Sequence, residues 1–353
     1  MPEVKKNTDK TDKLLEKAER HKATSYDVAE LAGVSQSAVS RCFKPGASVS
    51  QKMRDRVMKA AKELGYEPNA IARSLITRRS NLVAIIISNL TNLYYPEVLA
   101  QLTQCLSDKG MRVLLFALES ESKADEVLQQ IWPYQVDGVI AAAKLTDDQL
   151  SEFDKRAIPL VFYNRFYTSH AINTVCCDQA EGARQIVNDL VKAGHQSFAF
   201  IAGPSDSVVG NERQEAALKR LKQLEQENVT LINGGFSYEA GEGAVTTMHD
   251  KLGEFPDAVI CVNDMCAIGA IDGLRHDFGK KVPEEVSVVG FDGVGPAGWS
   301  SYNLTTVRQP VGRMTDAAVT MLMERIEDAG MPPEKRVFAG VIIPGNSARL
   351  AED

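Results

Sequence analysis

Eight polar or aromatic residues of this sequence lie in the segments that follow its apolar runs. Their side chains are of the types that bind small molecules. They are Tyr94, Tyr95, Asn164, Arg165, Arg213, Phe236, Asn263 and Asp292. Aromatic rings stack on the apolar face of a ligand. A forked donor such as Arg213 and a bidentate acceptor such as Asp292 together hold vicinal hydroxyls well. Stacking combined with bidentate polar groups is how a pyranose is held, so this set predicts a site for a sugar or sugar derivative.

The charges of these eight residues bear on the kind of ligand. Arg165 and Arg213 stand against a single carboxylate, Asp292, so a neutral sugar would leave one cation unpaired. This favours an anionic ligand such as a sugar acid or sugar phosphate, with a purine behind because it needs fewer diol partners. Other roles stay open: a cleft salt bridge or a helix N-cap for Asp292, and capping of the helix expected from Met265 for Asn263.

An enzymatic function is not expected. Gly293-Val-Gly295-Pro-Ala-Gly298 is formally a G-x-G-x-x-G motif, but the dinucleotide fingerprint also needs a helix that opens at those glycines. Pro296 and the residues after Gly298 do not supply one. The sequence offers no Ser/His/Asp order, paired-carboxylate site or Walker A lysine, and its five histidines lack metal-ligand spacing. We therefore expect no catalytic residues, cofactor or metal.

The segments around the eight residues alternate between two patterns along the chain, one typical of strands and one typical of helices. Continuous apolar runs such as Val83–Ile87 and Gly138–Ala142 alternate with helical patterns such as Tyr238–Leu252. Unbroken β-branched runs indicate strands covered on both faces, and their alternation with helices indicates parallel sheets. The number of such units exceeds one sheet and predicts two doubly wound lobes. Ligands of these sheets bind outside the carboxyl ends of the strands, which is where the eight residues are expected.

The region from residue 24 to residue 64 has a different, purely helical pattern. One short helix with an apolar face ends at Gly33, because glycine enters the left-handed conformation without steric cost. Ser35 suits the N-cap of a second short helix with Val39 turned inward, and a third helix is expected from Ser50 to Leu64. Two short helices joined by a glycine turn form a helix-turn-helix, whose second helix can enter the DNA major groove. Ordinary helical bundles contain the same arrangement.

The motifs of this region continue past the third helix. Pro68 stops that helix, and Asn69 can cap one further turn that ends at Leu75. Tyr26-Asp-Val-Ala-Glu-Leu-Ala-Gly-Val-Ser, Val39-Ser-Arg41 and Gly65-Tyr-Glu-Pro-Asn-Ala-Ile-Ala-Arg-Ser-Leu75 together resemble the head and hinge of the LacI/GalR family of transcriptional regulators. The resemblance implies a hinge helix that orders on operator DNA, with Leu75 wedged into the minor groove. Alone, Leu75 would more often be a core residue or a linker contact.

The resemblance also implies which residues contact DNA. Tyr26 and Ser40 would anchor phosphates, while Gln36, Ser37 and Arg41 would face base edges. With the hinge, the expected DNA contacts are Tyr26, Gln36, Ser37, Ser40, Arg41, Asn69, Ala72 and Leu75. The eight residues after the apolar runs match the effector positions of the family loop by loop. The α/β part resembles the type I periplasmic-binding-protein fold that the family attaches to its head.

The expected fold is therefore a small all-α helix-turn-helix head plus an α/β core of two doubly wound parallel-sheet lobes. We expect a mobile N-terminal extension at 1–22, the head at 23–67, hinge helix and linker at 68–80, and the core at 81–353. Within the core, lobe one is expected over about 81–164 and 310–336, and lobe two over about 165–308 and 337–350.

The distribution of charge agrees with binding to DNA at one end of the chain. Residues 1–79 carry 17 Lys/Arg and 10 Asp/Glu, whereas residues 80–353 carry 23 and 37. A basic head on an acidic body suits one end that meets phosphate and another that avoids it. No apolar run has the length of a membrane span, and no secretory signal follows Met1, so a cytoplasmic protein with reduced cysteines is expected.

One helix-turn-helix contacts only a half-site, so we expect a homodimer on palindromic double-stranded operator DNA. The C-terminal residues carry no heptads, and a tetramerising coiled coil is not expected there. The sequence thus predicts a repressor whose operator affinity is controlled by a small metabolite. The alternatives are a plain ligand-binding or transport protein, against which the head argues, and a regulator that responds to a purine.

Overall fold

The computed structural model describes residues 22–44, 46–68, 79–88, 90, 92–118, 123–165 and 172–351. The chain divides into two compact units between Ser80 and Asn81, which we call the head and the core. The predicted N-terminal extension, except for Lys22, and the hinge residues Asn69, Ala72 and Leu75 lie outside the described residues.

In the part of the head that the structure describes there are three helices, as predicted. They are α1 (Ser25–Ala32), α2 (Gln36–Cys42) and α3 (Gln51–Glu63). Gly33 ends α1 with a φ of 63°, which glycine adopts without steric cost. The hydroxyls of Ser35 and Ser50 cap α2 and α3 by accepting hydrogen bonds from backbone N–H groups. A small apolar core closes the head, and Val28, Val39 and Val57 at its centre are fully buried.

Lobe one of the core is a parallel sheet of six strands in the order β2–β1–β3–β4–β5–β11. The strands are β1 (Leu82–Ser88), β2 (Arg112–Leu118), β3 (Gly138–Ala142), β4 (Leu160–Tyr163), β5 (Asn173–Cys177) and β11 (Lys335–Phe338). The helices are α4 (Tyr94–Asp108), α5 (Ala124–Ile131), α6 (Asp147–Arg156) and α11 (Val311–Glu327). Helices cover the inner strands, so β1, β3, β4 and β5 consist almost wholly of buried residues.

Lobe two repeats this architecture with the strand order β7–β6–β8–β9–β10–β12. The strands are β6 (Phe198–Ile201), β7 (Val229–Ile232), β8 (Ala258–Cys261), β9 (Ser287–Asp292), β10 (Thr305–Arg308) and β12 (Val341–Ile343). The helices are α7 (Gln179–Lys192), α8 (Val208–Gln223), α9 (Tyr238–Leu252) and α10 (Asp264–Asp272). Only β12 runs antiparallel to its neighbour in the sheet. The predicted pair of doubly wound lobes is confirmed.

The chain crosses between the lobes three times, after β5, after β10 and after β11. These crossings lie close together. A Cβ atom on Gly340, at the third crossing, would stand 2.7 Å from Val307 Cγ1 and 3.6 Å from Cys177 Sγ. A glycine is therefore needed for the segments to approach this closely.

The predicted lobe boundaries require correction. The short strand β5 was not predicted, and it pairs with β4, so the first crossing follows Cys177 and does not lie near residue 164. Residues from 337 onward were expected in lobe two, but the run from Val337 to Ile343 contains the end of β11 and all of β12, which belong to different sheets. The expected boundary between 336 and 337 therefore falls inside β11. Among the described residues, no helix is long and apolar enough to cross a membrane.

Candidate functional site

A cavity of about 750 Å³ lies between the two lobes of the core, at the carboxyl ends of their strands. Its volume is within the range of sites for small organic ligands. Seven of the eight residues expected from the sequence line it, namely Tyr94, Tyr95, Asn164, Arg165, Arg213, Phe236 and Asp292. The structure thus brings together residues that are up to two hundred positions apart in the sequence.

Arg213 is held in one orientation on the cavity wall. It projects from α8 and is buried, and its guanidinium lies 3.8 Å from the centre of the Phe291 ring. Its Nε, Nη1 and Nη2 donate, each at 2.8 Å, to Gln179 Oε1, the Val262 carbonyl oxygen and Asp292 Oδ1. A guanidinium has five N–H groups, so two remain without an acceptor among the described residues and can bind a ligand.

Asp292 ends β9 and is the carboxylate partner of Arg213. The ion pair is 2.8 Å long, and both side chains are only 3% exposed. Oδ1 also accepts a hydrogen bond of 2.7 Å from Gln309 Nε2. Burial raises the pKa of Asp292, and the Arg213 charge opposes that shift. Oδ2 has no hydrogen-bond partner among the described residues and can accept one from a hydroxyl in the cavity. Asp292 therefore forms the cleft salt bridge that was one of the alternative roles predicted for it.

Tyr94 and Tyr95 are the first two residues of α4 and lie on the lobe-one side of the cavity. Their rings meet edge to face with centroids 5.5 Å apart, and both are nearly buried. The Tyr94 hydroxyl lies 3.2 Å from the Tyr163 hydroxyl, donates to Gln309 Oε1 at 3.2 Å, and accepts from Asn164 Nδ2 at 3.1 Å. Burial raises the pKa of Tyr94 well above its usual value, so the phenol stays neutral. Tyr94 therefore offers a ligand its ring more than its hydroxyl.

Asn263 does not line the cavity, and its assignment as an effector contact is corrected. It is fully buried at the N-cap of α10, where its side-chain oxygen accepts from Cys266 N at 3.0 Å. Its amide nitrogen donates to the Phe236 carbonyl oxygen at 2.9 Å. The capping role that the sequence left open is the one that the geometry supports. Asn263 thereby fixes the backbone of Phe236, which does line the cavity.

The cavity wall also carries charged residues that were missed in the sequence. Lys144 stands on the lobe-one side, and Asp206 and Glu239 stand on the lobe-two side. They lie in loops or at a helix start and are exposed, so no pattern of apolar residues marks them. Together with Arg165, Arg213 and Asp292 they give a wall with three cations and three carboxylates.

The head presents the residues expected to contact DNA on its surface. Tyr26 is 73% exposed, and Gln36, Ser37, Ser40 and Arg41 are exposed along α2. Val39 and Cys42 on the opposite face of α2 are buried in the core of the head. Arg54 holds the segment after α2 by donating to the Cys42 carbonyl oxygen at 2.7 Å. This arrangement leaves the outer face of α2 open to a partner.

A helix-turn-helix head and a two-lobed core with a ligand-sized cavity define a class of DNA-binding regulators with a small-molecule domain. Residues 24–69 match the model of bacterial regulatory proteins of the lacI family. Residues 187–348 match the model of the periplasmic binding protein-like domain.

Relatives along the whole chain agree with these matches. The HTH-type transcriptional regulator CelR of Thermobifida fusca is 31% identical over 90% of this chain and 96% of its own. The regulator AscG of Escherichia coli K12 is 29% identical over 92% and 98%. The chain belongs to the LacI family, and it is a helix-turn-helix transcriptional regulator.

Solved structures of relatives share the fold. The lac repressor dimer bound to operator and the anti-inducer ONPF superposes with a TM-score of 0.85, at 26% identity over 93% of this chain and 99% of that one. The complex of CelR with cellobiose superposes with a TM-score of 0.69, at 30% identity over 93% and 100%. Both comparisons cover the head and the core together.

Proposed function

We propose that this regulator is a repressor that binds operator DNA through its head, and that a sugar or sugar derivative in the core cavity controls this binding. It acts in the cytoplasm as a homodimer on a palindromic operator, because one helix-turn-helix contacts one half-site. The observation that carries the effector proposal is the buried Arg213–Asp292 pair, which opens on a cavity with aromatic walls. The cellobiose complex of the relative CelR supports the same ligand class.

The polar groups of the pair suit vicinal hydroxyls. Two N–H groups of Arg213 and Oδ2 of Asp292 remain for a ligand, so adjacent hydroxyls can accept from one side chain and donate to the other. Phe236 borders the same region and offers an apolar face on which a pyranose can stack. A purine could stack there as well, but it would leave the hydroxyl-binding groups less well used.

The balance of charge does not favour an anionic sugar. The eight residues predicted from the sequence include two arginines and one carboxylate, but Arg213 is paired with Asp292, and Lys144, Asp206 and Glu239 also line the cavity. With three charges of each sign, a neutral sugar leaves no excess cation. We therefore propose a sugar or sugar derivative without a required negative charge.

The DNA contacts are proposed on the exposed face of α2 and at the start of α1. Gln36, Ser37 and Arg41 contact base edges, and Tyr26 and Ser40 contact phosphates. Their exposure supports this assignment, since side chains in a major groove must not be committed to the core of the head. The hinge residues Asn69, Ala72 and Leu75 complete the proposed contacts.

A thermal-shift screen of the full chain with sugars, sugar acids, sugar phosphates and purines tests the ligand class. We expect sugars to raise the melting temperature of the core. A sugar that is found should then bind Arg213→Ala less tightly by roughly 2–5 kcal/mol in calorimetry, as for removal of one partner of a buried charged contact. A screen in which only purines stabilise the core would refute the sugar assignment.

A further inference from the structure

Five buried side chains form a closed ring of hydrogen bonds that joins the two lobes. In this interlobe ring, Asn164 Nδ2 donates to Gln309 Oε1 and Gln309 Nε2 donates to Asp292 Oδ1, both at 2.7 Å. Arg213 donates to Asp292 and to Gln179, both at 2.8 Å. Gln179 Nε2 closes the ring on Asn164 Oδ1 at 3.5 Å, which is its weakest bond. No member is more than 4% exposed.

Two members of the interlobe ring have unusual backbone conformations. Asn164 has a φ of 51° and Asp292 has a φ of 119°, although neither is a glycine. Asparagine tolerates the left-handed region, but a φ of 119° is strained for aspartate. Such strain persists only where surrounding contacts fix the residue, and here the ring holds both Asp292 and Asn164. The ring thus fixes the backbone at one strand end in each lobe.

Gln179 differs from the other four members because it does not line the cavity. It is the first residue of α7, directly after the first crossing, and it is 1% exposed. Its side-chain oxygen fixes Arg213 Nε. Two residues earlier, the backbone N–H of Cys177 donates to Asn164 Oδ1 at 3.0 Å. The first crossing is therefore bound to lobe one on one side and to the cavity arginine on the other.

We propose that Gln179 is a positioning residue of the effector site. It orients the Arg213 guanidinium without touching the ligand, and it transmits a change at Arg213 to the first crossing and so to the relative setting of the lobes. This inference rests on the proposed effector role of the cavity. It concerns the effector-free protein, so it is tested without any effector.

The first test is the reactivity of Arg213 with phenylglyoxal, followed by peptide mapping of the full chain. Gln179→Met keeps the length of the side chain but removes the acceptor of Arg213 Nε, so we expect Arg213 to react at least several-fold faster than in the wild type. Gln185→Met is the matched control, because Gln185 stands on the same helix and, among the described residues, its amide donates to Glu181 alone, at 3.0 Å. Equal rates in Gln179→Met and the wild type would overturn the proposal.

A second variant separates orientation from a general loss of packing. Gln179→Glu keeps an acceptor for Arg213 and loses the donor to Asn164, so Arg213 should remain as slow to react as in the wild type. Acceleration equal to that in Gln179→Met would show that the acceptor is not what protects Arg213, and it would contradict the proposal. If Gln179→Met does not fold, the shorter Gln179→Asn replaces it with the same expected acceleration.

The coupling to the lobes is tested by the distance between spin labels at Ser151→Cys in α6 and Lys219→Cys in α8, both exposed, in a Cys105→Ser background. The labelled protein is mixed with an excess of unlabelled protein, so that the measured distance is the one between the two labels of a single chain. We expect a single distance in the wild type and in Gln185→Met, and a broader or shifted one in Gln179→Met. An unchanged distribution in Gln179→Met would overturn the coupling. Failure of the sugar screen would leave both tests unaffected, so the two proposals can fail separately.

Discussion

The buried pair of Arg213 and Asp292 should be strongly coupled in the stability of the core. Arg213→Met leaves the Asp292 carboxylate buried without its charged partner. Asp292→Asn likewise leaves the Arg213 guanidinium buried without its charged partner. Both side chains are 3% exposed and their atoms are 2.8 Å apart, so water from the cavity compensates for a lost partner only in part. Breaking a buried pair in this way costs about 3–5 kcal/mol. We expect each single variant to lose that amount of unfolding free energy.

The double variant should lose much less than the sum of the single variants. With both changes, neither charge remains buried, and a coupling energy of about 2–3 kcal/mol is expected for residues in direct contact. Urea unfolding at pH 7 followed by tryptophan fluorescence measures this cycle. The only two tryptophans, Trp132 and Trp299, lie in the core, one in each lobe, so the signal excludes the head. Losses that add to within about 0.5 kcal/mol would refute the coupling.

Three further predictions concern the head, the hinge and pH. Replacing Gln36 and Ser37 together should alter the preferred operator in a binding-site selection but leave non-specific affinity and its salt slope intact, and an unchanged preference would refute their role in contacting bases. Leu75→Ala should lower operator affinity several-fold and remove most of the DNA bend without changing the melting temperature of the core, and equal bending would argue against a wedge. Burial lowers the pKa of His195, whose ring nitrogens lie 2.8 Å from the Leu190 carbonyl oxygen and Ser287 Oγ. The unfolded chain therefore binds the proton first, so the stabilisation is complete above a pH of about 6.5 and is lost as the pH falls below it. Urea unfolding between pH 7.5 and 5.5 should show this loss in the wild type and a weaker one in His195→Asn, and identical slopes would contradict the assignment.

Most elements of the fold follow from local patterns in the sequence, and the exceptions have physical reasons. The strand β5 is short, with the sequence Asn-Thr-Val-Cys-Cys, and only one of its residues is a β-branched hydrophobe. Its burial comes from pairing with β4 and with β11, which is more than a hundred residues away in the chain. Helix α6 was not predicted either, because its apolar positions are limited to Leu150 and Phe153. The capping box from Thr146 to Gln149 was nevertheless a local signal of its start.

The cavity was predicted less completely than the fold. Residues at strand ends could be named because parallel sheets place their ligands there, and this rule found Asp292. Arg213 lies on α8, and its place in the site was predicted from the resemblance to the family's effector positions. The rule does not distinguish a side chain that faces the cavity from one that caps a helix, which is why Asn263 was misplaced. The roles of Gln179 and Gln309 depend on crossings that bring distant segments together. No spacing in the sequence marks such contacts.

We propose that a sugar in the core cavity controls binding of the head to operator DNA. The most direct measurement is operator affinity by fluorescence anisotropy, with and without a saturating sugar from the screen, for the wild type and Phe236→Ala. Phe236 borders the cavity and is only partly buried, so its removal should spare the fold. We predict a change in wild-type affinity of about 5- to 150-fold, the usual range of allosteric coupling, and little change in Phe236→Ala at the same sugar concentration. An equal response in both proteins, or none in the wild type despite bound sugar, would contradict the claim.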